Sequence, residues 1–183
     1  MRIRPSYLAA TLAVLALGCG EGAPAPGDEI VLPVFVRGAS DHFVSQMTGE
    51  EERPTPVVTE AHGQAVFRLS RDGRTMHYRV IVENIDDVTQ SHIHILVPPA
   101  TTGPFVVFLF PFNAAGVDPG NGILSEGTFT QANLIPRANI GFTGTMAELL
   151  AAMRGGTAYV NVHSVPFPAG EIRGDVREAG PSE

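Results

Sequence analysis

The chain has 183 residues, of which 12 are basic and 19 are acidic, and its formal net charge at pH 7 is −7. This acidic balance argues against a nucleic-acid-binding protein, because affinity for nucleic acid comes mainly from Lys and Arg on phosphates. A hydrophobic content of 44% with 17% charged residues is typical of a folded globule, and the length suits one domain.

The first 18 residues have the pattern of an export signal. Two positive charges, Arg2 and Arg4, precede an almost wholly apolar run from Tyr7 to Leu17. A helix needs about 20 apolar residues to span a bilayer, and this run is much shorter. We therefore expect a signal peptide over residues 1–18 rather than a transmembrane helix. Its removal would take away both arginines and lower the formal charge to −9.

Cys19 is the only cysteine and directly follows the predicted signal peptide. The segment Ala16-Leu17-Gly18-Cys19 resembles a bacterial lipobox, with Ala16 where that pattern usually has Leu. An exported protein with one cysteine has no partner for an intrachain disulfide, and lipidation would explain the lone thiol. We expect Cys19 to carry a lipid anchor in the bacterial cell envelope, at the outer membrane or cell surface. A plain signal peptide that leaves a free thiol is the alternative.

The composition predicts where the folded domain begins and ends. Residues 19–29 are small, Pro-rich and acidic, which is typical of an extended tether. Residues 178–183 offer little apolar surface to bury and are expected to be disordered. The folded domain is therefore predicted over residues 30–177.

Short runs rich in Val, Ile, Phe and Tyr alternate with Gly, Pro, Asn and Asp clusters, which predicts strands joined by turns. Asp72-Gly73 supplies the residue types of a tight hairpin turn. The apolar run from Phe105 to Phe110 suits a strand buried on both faces. The predicted strands are 30–36, 42–48, 63–70, 75–84, 91–97, 104–110, 123–130, 157–164 and 170–177.

One short helix is predicted near residues 145–154. Thr145 and Glu148 have the spacing of a capping box, and Gly155 follows at the position of a helix C-terminus. Leu149, Leu150 and Met153 would bury one side of this helix. The chain as a whole is therefore expected to be all-β with a single short helix.

Three histidines form a candidate metal site. Side chains alternate along a strand, so His92 and His94 share one face while Ile93 occupies the other. In the same way Tyr159, Asn161 and His163 share one face of a later strand. If these strands are neighbours, His92, His94 and His163 could converge outside the core. Imidazoles suit copper or zinc, and three protein ligands leave one position open. Structural hydrogen bonds to carbonyls or carboxylates are the alternative.

Polar residues near His163 could support its orientation. Asn161 is expected to lie on the same face as His163. Glu171 and Arg173 share one face of the last predicted strand, where they could form an ion pair or support His163 through hydrogen bonds. A surface salt bridge is the alternative. The run from Glu50 to Glu52 is interpreted as a solvated turn. The remaining histidines, His42, His62 and His77, are expected at the surface.

Five segments of the chain form a recognisable set: Thr48-Gly49-Glu50, 63–67 (GQAVF), 91–94 (SHIH), 159–163 (YVNVH) and 170–174 (GEIRG). Together they resemble the CHRD domain, named for its repeats in chordin and found alone in exported bacterial proteins, and the resemblance covers roughly residues 41–177. It implies an all-β fold, an immunoglobulin-like or barrel-like antiparallel β-sandwich. The family's function is largely uncharacterised. The chain departs from the family where residues 95–99 (ILVPP) replace an early glycine, which predicts a longer strand after His94.

No nucleophile motif, phosphate-binding loop or cysteine metal cluster is present in the sequence. The leading hypothesis is a non-catalytic binding or structural module, anchored to a membrane, that holds copper or zinc. One alternative is a small copper-dependent redox enzyme. The histidine pattern is similar to part of the copper site of Cu,Zn superoxide dismutase, but the bridging histidine and the disulfide have no counterpart. Another alternative is a domain that binds an envelope protein and uses its histidines structurally.

Overall fold

The computed structural model describes residues 41–180, which all belong to one compact unit. The predicted signal peptide, Cys19, the tether over residues 19–29 and the predicted strand 30–36 lie outside the described residues. The same holds for residues 181–183 of the predicted tail. Between residues 41 and 180 no helix is both long and apolar enough to cross a membrane.

Between residues 41 and 180, nine antiparallel strands form one sheet, in the order β5-β4-β7-β8-β1-β2-β3-β6, with β9 pairing separately on β1. The sheet curls into a nearly closed barrel with one α-helix, so the predicted all-β, barrel-like class is confirmed. The strands are β1 (His42–Thr48), β2 (His62–Leu69), β3 (Thr75–Glu83), β4 (Val88–Ile95), β5 (Phe105–Phe110), β6 (Gly122–Thr130), β7 (Ala158–Ser164), β8 (Ile172–Asp175) and β9 (Arg177–Glu178).

The hairpin between β2 and β3 is confirmed. Gly73 has a φ of 70°, which glycine adopts without steric strain, and its N–H donates to the carbonyl of Ser70. The carboxylate of Asp72 accepts from the hydroxyl of Ser70 and from the N–H of Arg74. This turn fixes a register in which Phe67 lies opposite Tyr78.

The predicted helix is present as α1 (Met146–Arg154). Its capping box is formed, because Thr145 accepts from the N–H of Glu148 while the Glu148 side chain accepts from the N–H of Thr145. The buried side chains are Met146, Leu149, Leu150 and Met153. They join the core cluster and tie α1 to the barrel.

Some strand boundaries differ from the sequence predictions. β4 begins at Val88 and ends at Ile95, so the predicted longer strand after His94 is wrong. The predicted strand 170–177 is interrupted at Val176, which separates β8 from β9. Glu178 lies in β9 and the N–H of Ala179 donates to His42, so hydrogen bonding continues two residues beyond the predicted domain end.

The strand that is buried on both faces is β7, and not β5 as the sequence predicted. In β5 Phe108 is 39% exposed, so one face of this strand is open to solvent at that position. All seven residues of β7 are buried instead, so this strand, which lies between β4 and β8, is covered on both faces. β7 therefore carries polar side chains into the interior.

Candidate metal centre

The pairing of β4 with β7 brings the three predicted histidines together. In this antiparallel register His92 lies opposite Asn161 and His94 lies opposite Tyr159, which places both histidines on the same face as His163. The ring centroids of His92 and His163 are 5.1 Å apart, and those of His92 and His94 are 5.5 Å apart. One nitrogen from each ring lies within 4.8 Å of the other two.

Main-chain carbonyls orient two of the rings. His94 Nδ1 lies 2.8 Å from the carbonyl oxygen of Gly103, and His163 Nδ1 lies 3.0 Å from that of Pro168. A carbonyl only accepts, so each Nδ1 carries a proton and each Nε2 presents a lone pair. This is the arrangement that holds metal-ligating histidines in other proteins, where the second nitrogen donates to an oxygen.

The nitrogens that point into the cluster lack hydrogen-bond partners. Nε2 of His94, Nε2 of His163 and both ring nitrogens of His92 are buried with no partner within hydrogen-bond distance. Leaving one buried polar group unpaired costs about 1–3 kcal/mol. Structural hydrogen bonding thus accounts for one nitrogen on each of two rings and leaves four nitrogens unexplained.

The cluster is buried rather than placed outside the core as predicted. His92 is 2% exposed and His163 is 7% exposed, while His94 is half-buried. Burial lowers the pKa of His92 to about 3 and that of His94 to about 4, and it also lowers the pKa of His163. All three rings are therefore neutral near pH 7, the form that binds metals.

Aromatic rings form the walls of the cluster. Phe105 stacks on His92 with a centroid distance of 4.6 Å and an interplanar angle of 22°. Phe108 meets the same ring edge-on, also at 4.6 Å. Tyr159 stacks on His94 at 4.7 Å and 12°, and its hydroxyl contacts the main chain of Gly103. These contacts cover much of the His92 and His94 rings and restrict their rotation.

Glu52 is a site residue that the sequence analysis missed. The sequence predicts a solvated turn here, but Glu52 is only 4% exposed and its carboxyl accepts from Asn161 Nδ2. Burial raises the pKa of Glu52 to about 7, against the opposing effect of Arg173. No sequence signal separates it from the two exposed neighbours before it, because only the tertiary fold turns this side chain inward.

The three predicted supporting residues are all buried but have different partners. Asn161 contacts Glu52, as just described, and stands beside His92 through the pairing of β4 and β7. The carboxylate of Glu171 accepts from the hydroxyls of Ser164 and Thr59. Arg173 donates to the carbonyl of Thr101 and lies 3.8 Å from Asp175. The proposed alternative of an exposed Glu171–Arg173 salt bridge does not fit this burial.

The histidines expected at the surface are exposed. His42, His62 and His77 lie on strands β1, β2 and β3, and His62 contacts Glu83 at 3.1 Å. Among residues 41–180, the group of three or more potential ligands that could hold one ion consists of His92, His94 and His163. Two nitrogens bound to one ion at about 2 Å each lie about 3–4 Å apart. The three histidine nitrogens here lie within 4.8 Å of one another.

Comparison with known proteins supports the resemblance read from the sequence. The family described as the CHRD domain matches residues 43–176, which is most of the chain. No curated protein and no solved structure matches the chain. The match includes both strands that supply the three histidines.

Proposed function

Because this chain belongs to the CHRD domain family, we propose that it is an exported, membrane-anchored module that binds copper or zinc through His92, His94 and His163 without catalysing a reaction. The observation that carries this proposal is the set of buried imidazole nitrogens with no hydrogen-bond partner. A metal ion would satisfy three of them at one point.

The donor set narrows the choice of metal. Three neutral imidazoles suit copper and zinc, whereas Mg²⁺ and Ca²⁺ prefer oxygen ligands. The pKa values of His92 and His94, lowered to about 3 and about 4 by burial, mean that protons compete weakly for these nitrogens at neutral pH. The ligands are thus available without a change in protonation.

Metal titration of the purified full chain tests this proposal. We expect one equivalent of Cu or Zn to bind, and we expect His92→Ala and His163→Ala to weaken binding at least a hundredfold. His77→Ala is the matched control, because His77 is exposed on β3. Binding that is absent, or that is equal in the parent and the two site variants, would rule the site out.

Membrane anchoring is proposed from Cys19 and the apolar run before it. A lipid chain stabilises membrane association by about 0.8 kcal/mol per buried CH₂. We expect the parent chain to fractionate with bacterial membranes and to incorporate labelled fatty acid, and we expect Cys19→Ser to lose both properties. Full membrane association of the Cys19→Ser chain would contradict the anchor.

A copper-dependent redox enzyme is the second candidate. It is favoured by one observation, that three protein ligands leave a coordination position for a further ligand. Turnover of superoxide or a common reductant by copper-loaded protein, lost in His94→Ala, would support it. Copper-loaded protein without turnover would leave the binding module as the function.

A further inference from the structure

Two of the ligand histidines each stack on an aromatic ring, and the guanidinium group of an arginine lies over the same ring. In the first stack, Phe105 lies 4.6 Å from His92, and the guanidinium carbon of Arg137 lies 4.3 Å from the Phe105 centroid. Nε of Arg137 donates to the carbonyl of Phe105 at 2.6 Å. This hydrogen bond holds the positive charge one ring away from the ligand.

The second stack, on the other side of the cluster, has the same order of histidine, aromatic ring and guanidinium group. Tyr159 lies 4.7 Å from His94, and the guanidinium carbon of Arg173 lies 3.6 Å from the Tyr159 centroid. Arg173 donates to the carbonyl of Thr101 at 2.7 Å. Two positive charges are therefore fixed by the main chain beside two of the three imidazoles.

The two guanidinium groups differ in the negative charge near them. Arg173 acts on the buried carboxyl of Glu52 and lowers its pKa, although burial raises that pKa overall to about 7, so this carboxyl is partly protonated near neutral pH. Within the described part of the chain, no ion pair closer than 4.0 Å involves Arg137. Arg173 lies 3.8 Å from Asp175, whose side chain is 67% exposed and therefore well screened by water. The three imidazoles are neutral, so the ligands themselves supply no negative charge.

We propose that this site favours monovalent over divalent copper, and that the charges of Arg137 and Arg173 set that preference. The proposal rests on copper binding at His92, His94 and His163. Each guanidinium repels a dication more strongly than a monocation, and the low dielectric of the aromatic walls increases the difference.

Measurement of both copper affinities on the full chain, purified in detergent, tests this proposal. Affinity for Cu⁺ is obtained by competition with a cuprous-specific chromophoric chelator, and affinity for Cu²⁺ by competition with an amino-acid chelator. We expect Arg137→Gln to lower the ratio of Cu⁺ affinity to Cu²⁺ affinity about tenfold. This change corresponds to a fall of about 59 mV in the one-electron reduction potential of the bound copper. Arg137→Lys should keep most of the parent ratio.

Arg68→Gln is the matched control, because it removes the same charge from an exposed position on β2. Arg173→Gln tests the other stack independently and should shift the ratio in the same direction. Copper bound with an unchanged ratio in both Gln variants would overturn this inference and leave metal binding intact. An equal loss in Arg137→Lys and Arg137→Gln would show that stacking geometry, not charge, sets the ratio. Failure of the parent chain to bind copper would instead contradict the proposed function.

Discussion

At the scale of single residues, burial changes the chemistry of ordinary side chains. The imidazoles of His92, His94 and His163 are held neutral by desolvation, and the main-chain carbonyls of Gly103 and Pro168 fix the tautomers of His94 and His163. The same desolvation keeps a proton on the carboxyl of Glu52 up to about neutral pH. The direction of each shift is set by which form is charged.

Replacing Glu52 by Gln tests the protonation of this carboxyl. Since burial raises the pKa of Glu52 to about 7, the folded protein must accommodate a buried carboxylate at higher pH, whereas Gln stays neutral and can still accept from Asn161. We expect Glu52→Gln to have a melting temperature higher than the parent at pH 8 and similar at pH 5.

Glu51→Gln is the control for this comparison, because Glu51 is exposed. A parent protein that is equally or more stable than Glu52→Gln at pH 8 would mean that the Glu52 carboxylate is satisfied by Arg173 and is not destabilising. Differential scanning fluorimetry at the two pH values distinguishes these outcomes.

At the scale of elements, the loop between β4 and β5 closes one side of the three-histidine cluster. Gly103 in this loop accepts from His94 and contacts the Tyr159 hydroxyl through its N–H and its carbonyl. A Cβ at Gly103 would lie 1.9 Å from the carbonyl oxygen of Ile95. The close approach of the loop to the end of β4 therefore requires glycine.

We expect Gly103→Ala to move the loop away from β4 and to release the hydrogen bond to His94. Overpacking of this kind destabilises by about 1–3 kcal/mol. Metal affinity should fall at least tenfold while the far-ultraviolet circular dichroism spectrum stays that of a β protein. Gly180→Ala, where a Cβ meets nothing within 4 Å, is the control. Unchanged metal affinity in Gly103→Ala would show that the loop does not orient His94.

At the scale of the whole molecule, the buried histidines link stability to pH. The pKa of His92 is about 3 in the folded protein and that of His94 is about 4, whereas an unfolded chain protonates histidine near 6.5. Between these pH values the unfolded state binds more protons than the folded state. The contribution of these histidines to the stability of the metal-free protein is therefore complete above about pH 6.5 and is lost as the pH falls. The raised pKa of Glu52 acts in the opposite direction between about pH 4.5 and 7.

Urea unfolding of the metal-free full chain from pH 7.5 to 4.5 measures this linkage. We expect the free energy of unfolding to fall with pH, and we expect the slope to be smaller in His92→Phe, which removes one of the titrating groups. Bound metal at a hundred times its Kd would add about 2.7 kcal/mol at pH 7.5. A slope that is identical in the parent and His92→Phe would contradict the low pKa of His92.

The sequence by itself determined the class of fold and which three histidines come together. Period-two alternation, turn residues and a capping box depend on local geometry, and they predicted eight strand regions between residues 42 and 177 and α1. Alternation also placed His92 with His94, and Tyr159 with Asn161 and His163, on shared faces. These are properties of neighbouring residues, so a single strand is enough to establish them.

Only the tertiary structure decided how the site is enclosed. The burial of the three imidazoles, the inward turn of Glu52 and the stacks of Arg137 and Arg173 on aromatic rings join segments far apart in the chain. The alternation of side chains along a strand predicts which residues share a face, but it does not predict what covers that face. Contacts between distant segments are set by strand order and loop packing, which no local pattern encodes.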